Sequence, residues 1–180
     1  NAKSLISEWI KNINTGVCNV YIQSCCESVA SLKLATTVNA SVAPRIFSQG
    51  PESLEIVRTR APQTCWGKQH SKSTADNMLS FSTKEEIVER CSGPAKHIAL
   101  LLQDSVDENL NFKEEAKSSN HPLYQVTRFV KSNIDHADKQ NEFNLVDKFR
   151  ELTLPPFGLF PSHAGYGMVA FALRPYVDKM

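Results

Sequence analysis

Leu5, Ile6, Trp9, Ile10 and Ile13 recur at helical spacing, with Lys3, Glu8 and Lys11 elsewhere on the wheel. This predicts an amphipathic helix ending near Gly16. Val17 to Ile22 follows that glycine and is rich in β-branched and aromatic residues, which predicts a strand. Ser24 to Ala35 returns to a helical pattern through Val29, Leu32 and Leu34. Ser41 to Ser48 reads as a short helix burying Val42, Ile46 and Phe47, with Gly50 as its left-handed cap. Pro51 then opens a helix carrying Leu54, Ile56 and Val57, because its missing N–H would be an orphan at that position anyway.

Periodicity fails from Thr59 to Ser73, which predicts a loop around Trp66, and helical signals resume with Asp76 to Phe81. Thr83 and Glu86 form a capping-box pattern ahead of Ile87, Val88 and Cys91. Ser92-Gly93-Pro94 closes that helix and starts one that buries Ile98, Leu101 and Leu102. Asp104 to Asn120 is polar and acidic and reads as an exposed excursion, with an extended piece around Leu110. Pro122 begins a long helix with Leu123, Val126, Phe129, Val130 and Ile134 on one face. Asn144 and Asp147 cap the next, which buries Leu145, Val146, Phe149 and Leu152 and stops before Pro155-Pro156. A last helix from Ser162 is apolar nearly all round between Tyr166 and Leu173, as in helices buried on several sides.

The predicted fold is therefore mainly α with minor β: a compact helical domain with a helix-turn-helix-like unit at its C-terminal end. One domain over residues 3–180 is expected, with 3–115 and 120–180 as the alternative subdivision. Asn1-Ala2 reads as a cloning remnant and the whole as a piece of a larger protein. The longest apolar run, Met168 to Leu173, is far too short to cross a bilayer, so no membrane partner is expected. The five cysteines have no disulfide-framework spacing and fit a reducing cytoplasm. A net charge of +1 leaves any electrostatic argument local.

Candidate chemistry is sparse. Structural zinc needs close-spaced ligand pairs, whereas Cys25 and Cys26 are adjacent and the histidines scattered. Gly165-Tyr166-Gly167 lacks the lysine and preceding strand of a phosphate cradle, and small residues there suit close helix packing. Ser162-His163 lacks the Gly-x-Ser-x-Gly turn of a nucleophile elbow. No cofactor, metal ligand or catalytic residue is assigned, and this fragment is not expected to be an enzyme. One charge asymmetry remains. Arg58, Arg60, Lys68 and Lys72 lie with Trp66 in an acid-free stretch. Cations there would meet phosphates and the indole could stack on a base, making these the candidate nucleic-acid-binding residues. A solvated loop pinned by a buried tryptophan is the alternative.

The most specific motif is Phe149-Arg150-Glu151-Leu152-Thr153-Leu154-Pro155-Pro156-Phe157-Gly158-Leu159, followed by the apolar Met168-Val169-Ala170-Phe171-Ala172-Leu173. It resembles a winged-helix-like element downstream of the ATPase core in large bacterial P-loop proteins of phage-resistance type, including BREX-type ATPases. There a Pro-Pro-Tyr-Gly turn precedes an apolar helix. Here Phe157 replaces the tyrosine and Leu159 stands where tryptophan is common. Ile46-Phe47, Gly50-Pro51-Glu52 and Trp66 with Lys68 fit the same likeness. The resemblance covers about thirty residues and transfers no catalytic residue. It implies a non-catalytic accessory region of an ATP-driven, DNA-associated defence-type protein, partnered by the rest of that polypeptide or a partner subunit, and by DNA. A nucleic-acid-binding module using the basic loop and a helical protein-interaction module are the competing expectations.

Overall fold

The computed structural model describes residues 2–22, 25–30, 38–55, 57, 71–90, 93–140, 144–159 and 162–179. The structure is mainly helical with minor β. It divides into two compact units, Asn1–Arg45 and Ile46–Met180.

In the first unit the amphipathic pattern forms α1, Ala2–Thr15, and Gly16 separates it from strand β1, Val17–Ile22. The expected helix from Ser24 is instead strand β2, Cys25–Ala30, antiparallel to β1 with Tyr21 opposite Cys26 and Asn19 opposite Ser28. The Ser28 hydroxyl donates to Asn19 Oδ1 at 2.7 Å, a cross-strand bond that a helix could not make. Leu32 and Leu34, the rest of that expected helix, lie outside the described residues. A π turn, Val38–Val42, leads into α2, Ala43–Ile46, which spans the division between the units.

In the second unit, Gly50 is extended (φ −108°, ψ 172°), not left-handed; Pro51–Ser53 forms a 3₁₀ turn, Leu54 is extended, and Glu55 and the buried Val57 are helical, with Ile56 outside the described residues. Ile46 is exposed rather than buried. The longer elements are α3 Ser71–Ser80, α4 Lys84–Arg90 and α5 Ala95–Gln103. After them come α6 Glu114–Ser118, α7 Pro122–Gln140, α8 Leu145–Leu152 and α9 His163–Leu173, with a 3₁₀ segment Arg174–Lys179 last. Helix α3 starts at Ser71, so the expected loop does not extend through Ser73.

The Thr83 cap forms, with the Glu86 carboxylate reaching one residue further back than in a capping box. Thr83 Oγ1 accepts from Glu86 N–H at 3.4 Å, and the Glu86 carboxylate accepts from the backbone N–H of Ser82 at 2.8 Å. Asn144 Oδ1 accepts from Asp147 N–H and Ser162 Oγ from Gly165 N–H, starting α8 and α9.

Helix α9 is the core. It packs against α3, α5 and α7, and Ala164, Met168, Val169, Ala170, Phe171 and Ala172 are all buried. Its even hydrophobicity around the axis follows, because an element surrounded by others has no polar face to show. At Gly167 a Cβ would meet Leu101 Cδ1 at 3.2 Å, tighter than an ordinary contact, with Thr74 Cγ2 at 3.6 Å and Met78 Cε at 3.7 Å at normal contact distance. A mid-helix glycine costs about 1 kcal/mol relative to alanine, and here it lets Leu101 of α5 seat closely against α9.

The segment from Asp104 is not an exposed excursion. Ser105, Val106, Leu110 and Ala116 are buried, and Val106 bridges Phe112. Asp107 Oδ1 accepts from the backbone N–H groups of Asn109 and Asn111, both at 2.9 Å, which folds the polar residues over Leu110. Those bonds hold the Asp107 carboxyl below the usual carboxylate range. Composition misled here because the polar side chains bond their own backbone and leave the few apolar ones to go inward.

Candidate functional site

The chemistry-bearing side chains that the fold brings together are Thr74, His97, Ser162 and His163, all buried. They come from α3, α5 and the start of α9, and the two histidines are far apart in sequence. Thr74 Oγ1 and His163 Nδ1 are hydrogen-bonded at 2.7 Å. The imidazoles of His97 and His163 pack with centroids 4.8 Å apart and planes tilted by 40°. Nδ1 of His97 is buried without a hydrogen-bond partner.

A hydroxyl beside an imidazole is the opening pair of a nucleophile–base arrangement. Its position decides what it can do. Thr74 is 0% exposed, so a substrate carbonyl has no approach to its oxygen in this conformation. The Thr74–His163 bond instead acts as a polar pin between α3 and α9, where a satisfied hydrogen bond selects one packing of otherwise featureless apolar faces, and His97 of α5 meets it only by ring packing. Burial pushes the His97 imidazole below its ordinary value, and the neighbouring His163 adds repulsion in the same direction. His121, which accepts from Leu123 N–H at 3.2 Å ahead of α7, is also lowered by burial, with Asp104 opposing.

A histidine with a depressed folded-state pKa binds its proton more readily when unfolded. Stability is therefore fully present above the unfolded value of about 6.5 and is lost as pH falls from there through the folded value. The expected result is a melting temperature that drops between pH 7.5 and pH 5.5, with a shallower drop in His97→Gln. Parallel slopes for parent and variant would remove His97 from this role.

Sequence reasoning did not find this pair, since nothing local marks two histidines that meet only when α5 packs on α9. The available signal was weak: each sits in the first turn of an apolar helix. Of the expected nucleic-acid-binding residues, Lys72 is exposed in the first turn of α3, while Arg58, Arg60, Trp66 and Lys68 lie outside the described residues. Among the described residues, no three His, Cys, Asp or Glu side chains converge to hold a metal ion. No described helix is long and apolar enough to cross a membrane.

The motif behind the family resemblance is a defined junction. After α8, Phe157 N–H and Gly158 N–H both donate to Leu154 O, at 3.0 and 3.1 Å, and Leu159 N–H donates to Leu152 O at 2.8 Å. Gly158 takes φ +63°, which favours glycine. The buried Phe157 ring meets Phe129 of α7 with centroids 5.1 Å apart. Gln49 N–H donates to Pro156 O at 2.9 Å, so Phe47 to Gly50 lies directly on this turn. Two stretches singled out separately in the sequence thus form one piece of structure. Beside them Glu52 carries a buried, unpartnered Oε2, and burial raises its carboxyl above the ordinary range.

In the first unit, α1 exposes an apolar face. Leu5 is 53% exposed, Ile6 54% and Ile10 54%, an apolar stripe at helical spacing. No protein-family model, curated protein or solved structure matches this chain.

Proposed function

We propose that the chain is a non-catalytic accessory module of a larger, ATP-driven bacterial defence-type protein, coupling that machine to DNA or to a partner subunit. The observation that carries the coupling role is the α1 stripe. An amphipathic helix hides its apolar face when it serves only its own domain, yet Leu5, Ile6 and Ile10 each leave more than half of their surface open. The occupant of that face, on this reading, is the rest of the larger polypeptide or its partner subunit. The link to an ATP-driven machine rests on the resemblance carried by Pro155-Pro156-Phe157-Gly158 and the Phe47–Gly50 segment that closes on it.

The test supplies the ATPase-bearing remainder in trans and follows co-migration on a sizing column. Leu5→Ser/Ile6→Ser/Ile10→Ser should abolish co-migration, and the same variant should leave the melting of Ile46–Met180 unchanged. Unaltered co-migration would exclude α1 as the coupling face. Robust ATP turnover by the chain alone would exclude the non-catalytic part.

A further inference from the structure

A second surface lies on unit Ile46–Met180 and is independent of α1. Helices α4 and α5 flank a groove of about 450 Å³. Its apolar part comes from Ile87, Val88 and Ala99; Ile87 is buried, but Val88 is 75% exposed at the lip. A valine so open beside a concavity costs free energy in water and gains it on contact with an apolar group.

The rim is acidic. Glu85 and Glu89 lie one helical turn apart on α4, and Glu108 faces them from the loop after α5. The Glu108 side chain acts on the Glu85 carboxyl across the rim. Glu85 also accepts from its own backbone N–H and from the Thr83 hydroxyl, and with the Lys84 charge beside it these bonds keep its carboxyl below the usual range. The cation lining the groove, Lys84, donates its ammonium to Gln103 O at 3.3 Å and to Val106 O at 2.9 Å, capping α5, and its charge also acts on Glu85. Among the described residues, Glu85, Glu89 and Glu108 form no ion pair with a lysine or arginine. Three carboxylates against the single Lys84 leave the rim of this apolar cleft net negative, which favours positive charge from outside.

The geometry points to a docking groove for a short cationic amphipathic segment of a partner protein. Its apolar side chain seats against Val88 and Ala99, while lysine or arginine on the same face meets Glu85, Glu89 and Glu108. The combination is the helix-in-groove mode, in which apolar anchors supply affinity and the charged rim sets partner choice.

The test uses three labelled helical peptides and fluorescence anisotropy on the full chain. One carries leucines at i, i+3, i+4 and i+7 with lysines between them. A second replaces the lysines by glutamates, and a third replaces the leucines by alanines. The Leu/Lys peptide should bind, with the other two at least about tenfold weaker. Val88→Ser and Glu89→Lys should each weaken that binding about fivefold or more, with circular dichroism unchanged because both side chains are exposed. Amide exchange should slow in α4 and α5. Equal binding of the leucine-free lysine peptide, or binding indifferent to both variants, would overturn the proposal. So would Val88-dependent dimerisation in sedimentation, which would make a second copy of this chain the occupant.

Discussion

Gly50→Ala should cost at least about 3 kcal/mol of stability, although alanine tolerates the backbone angles found at this position. The reason is space. A Cβ on Gly50 would stand 1.7 Å from the carbonyl oxygen of Phe157 and 2.8 Å from its carbonyl carbon. Those atoms belong to a backbone tied on both sides, by Gly158 N–H to Leu154 O and by Leu159 N–H to Leu152 O, so no flexible side chain can yield. Relief requires separating the two segments, which also breaks the bond from Gln49 N–H to Pro156 O. Gly93→Ala is the control. That residue has φ +68° but open space around it, so only the backbone penalty of about 1 kcal/mol applies. Urea denaturation of the two variants measures the difference, and equal midpoints would mean that the close approach at Gly50 does not govern stability.

Leu101→Ala should cost about 2–5 kcal/mol, the range for emptying a fully enclosed leucine site. Leu101 is 0% exposed, and its Cδ1 sits over the bare Cα of Gly167. That second fact makes a sharper test possible. Gly167→Ala alone should destabilise, since its methyl would press on Leu101 at 3.2 Å with Thr74 and Met78 close behind. In the Leu101→Ala background the same methyl enters vacated space and gains the helix propensity of alanine over glycine, about 1 kcal/mol. The two changes should therefore couple favourably, by about 0.5–3 kcal/mol in a double-mutant cycle. Strict additivity would show that α5 and α9 do not meet at this point.

Much of the helical framework was readable from residues three and four apart. The stripe of α1, the Thr83 cap ahead of α4, the Gly93-Pro94 boundary, the long α7 and the Ser162 cap all depend on neighbours in the chain. The mistaken elements have separate causes. Cys25–Ala30 has too little local signal to choose between helix and strand, and β1 decides by offering hydrogen bonds along its length. Around Leu110, side-chain bonds to the backbone outweighed composition. Gly50 looked like a helix cap because glycine often is one, yet it is there because Phe157 leaves no room for a side chain.

The candidate sites were less legible still. Nothing local in the sequence marks Glu85, Glu89 and Glu108 as a set, and only the side-by-side packing of α4 and α5 turns them into the rim of a groove. His97 and His163 became neighbours by the same route.

From its sequence alone this chain is a mainly helical protein whose helix starts and stops are written in caps, prolines and glycines, because those signals act within a turn or two. Which helices touch, which polar groups are trapped between them and which apolar faces stay open belong to the tertiary structure. Such contacts join residues remote in the chain, and their energies exist only once the backbone has closed around them.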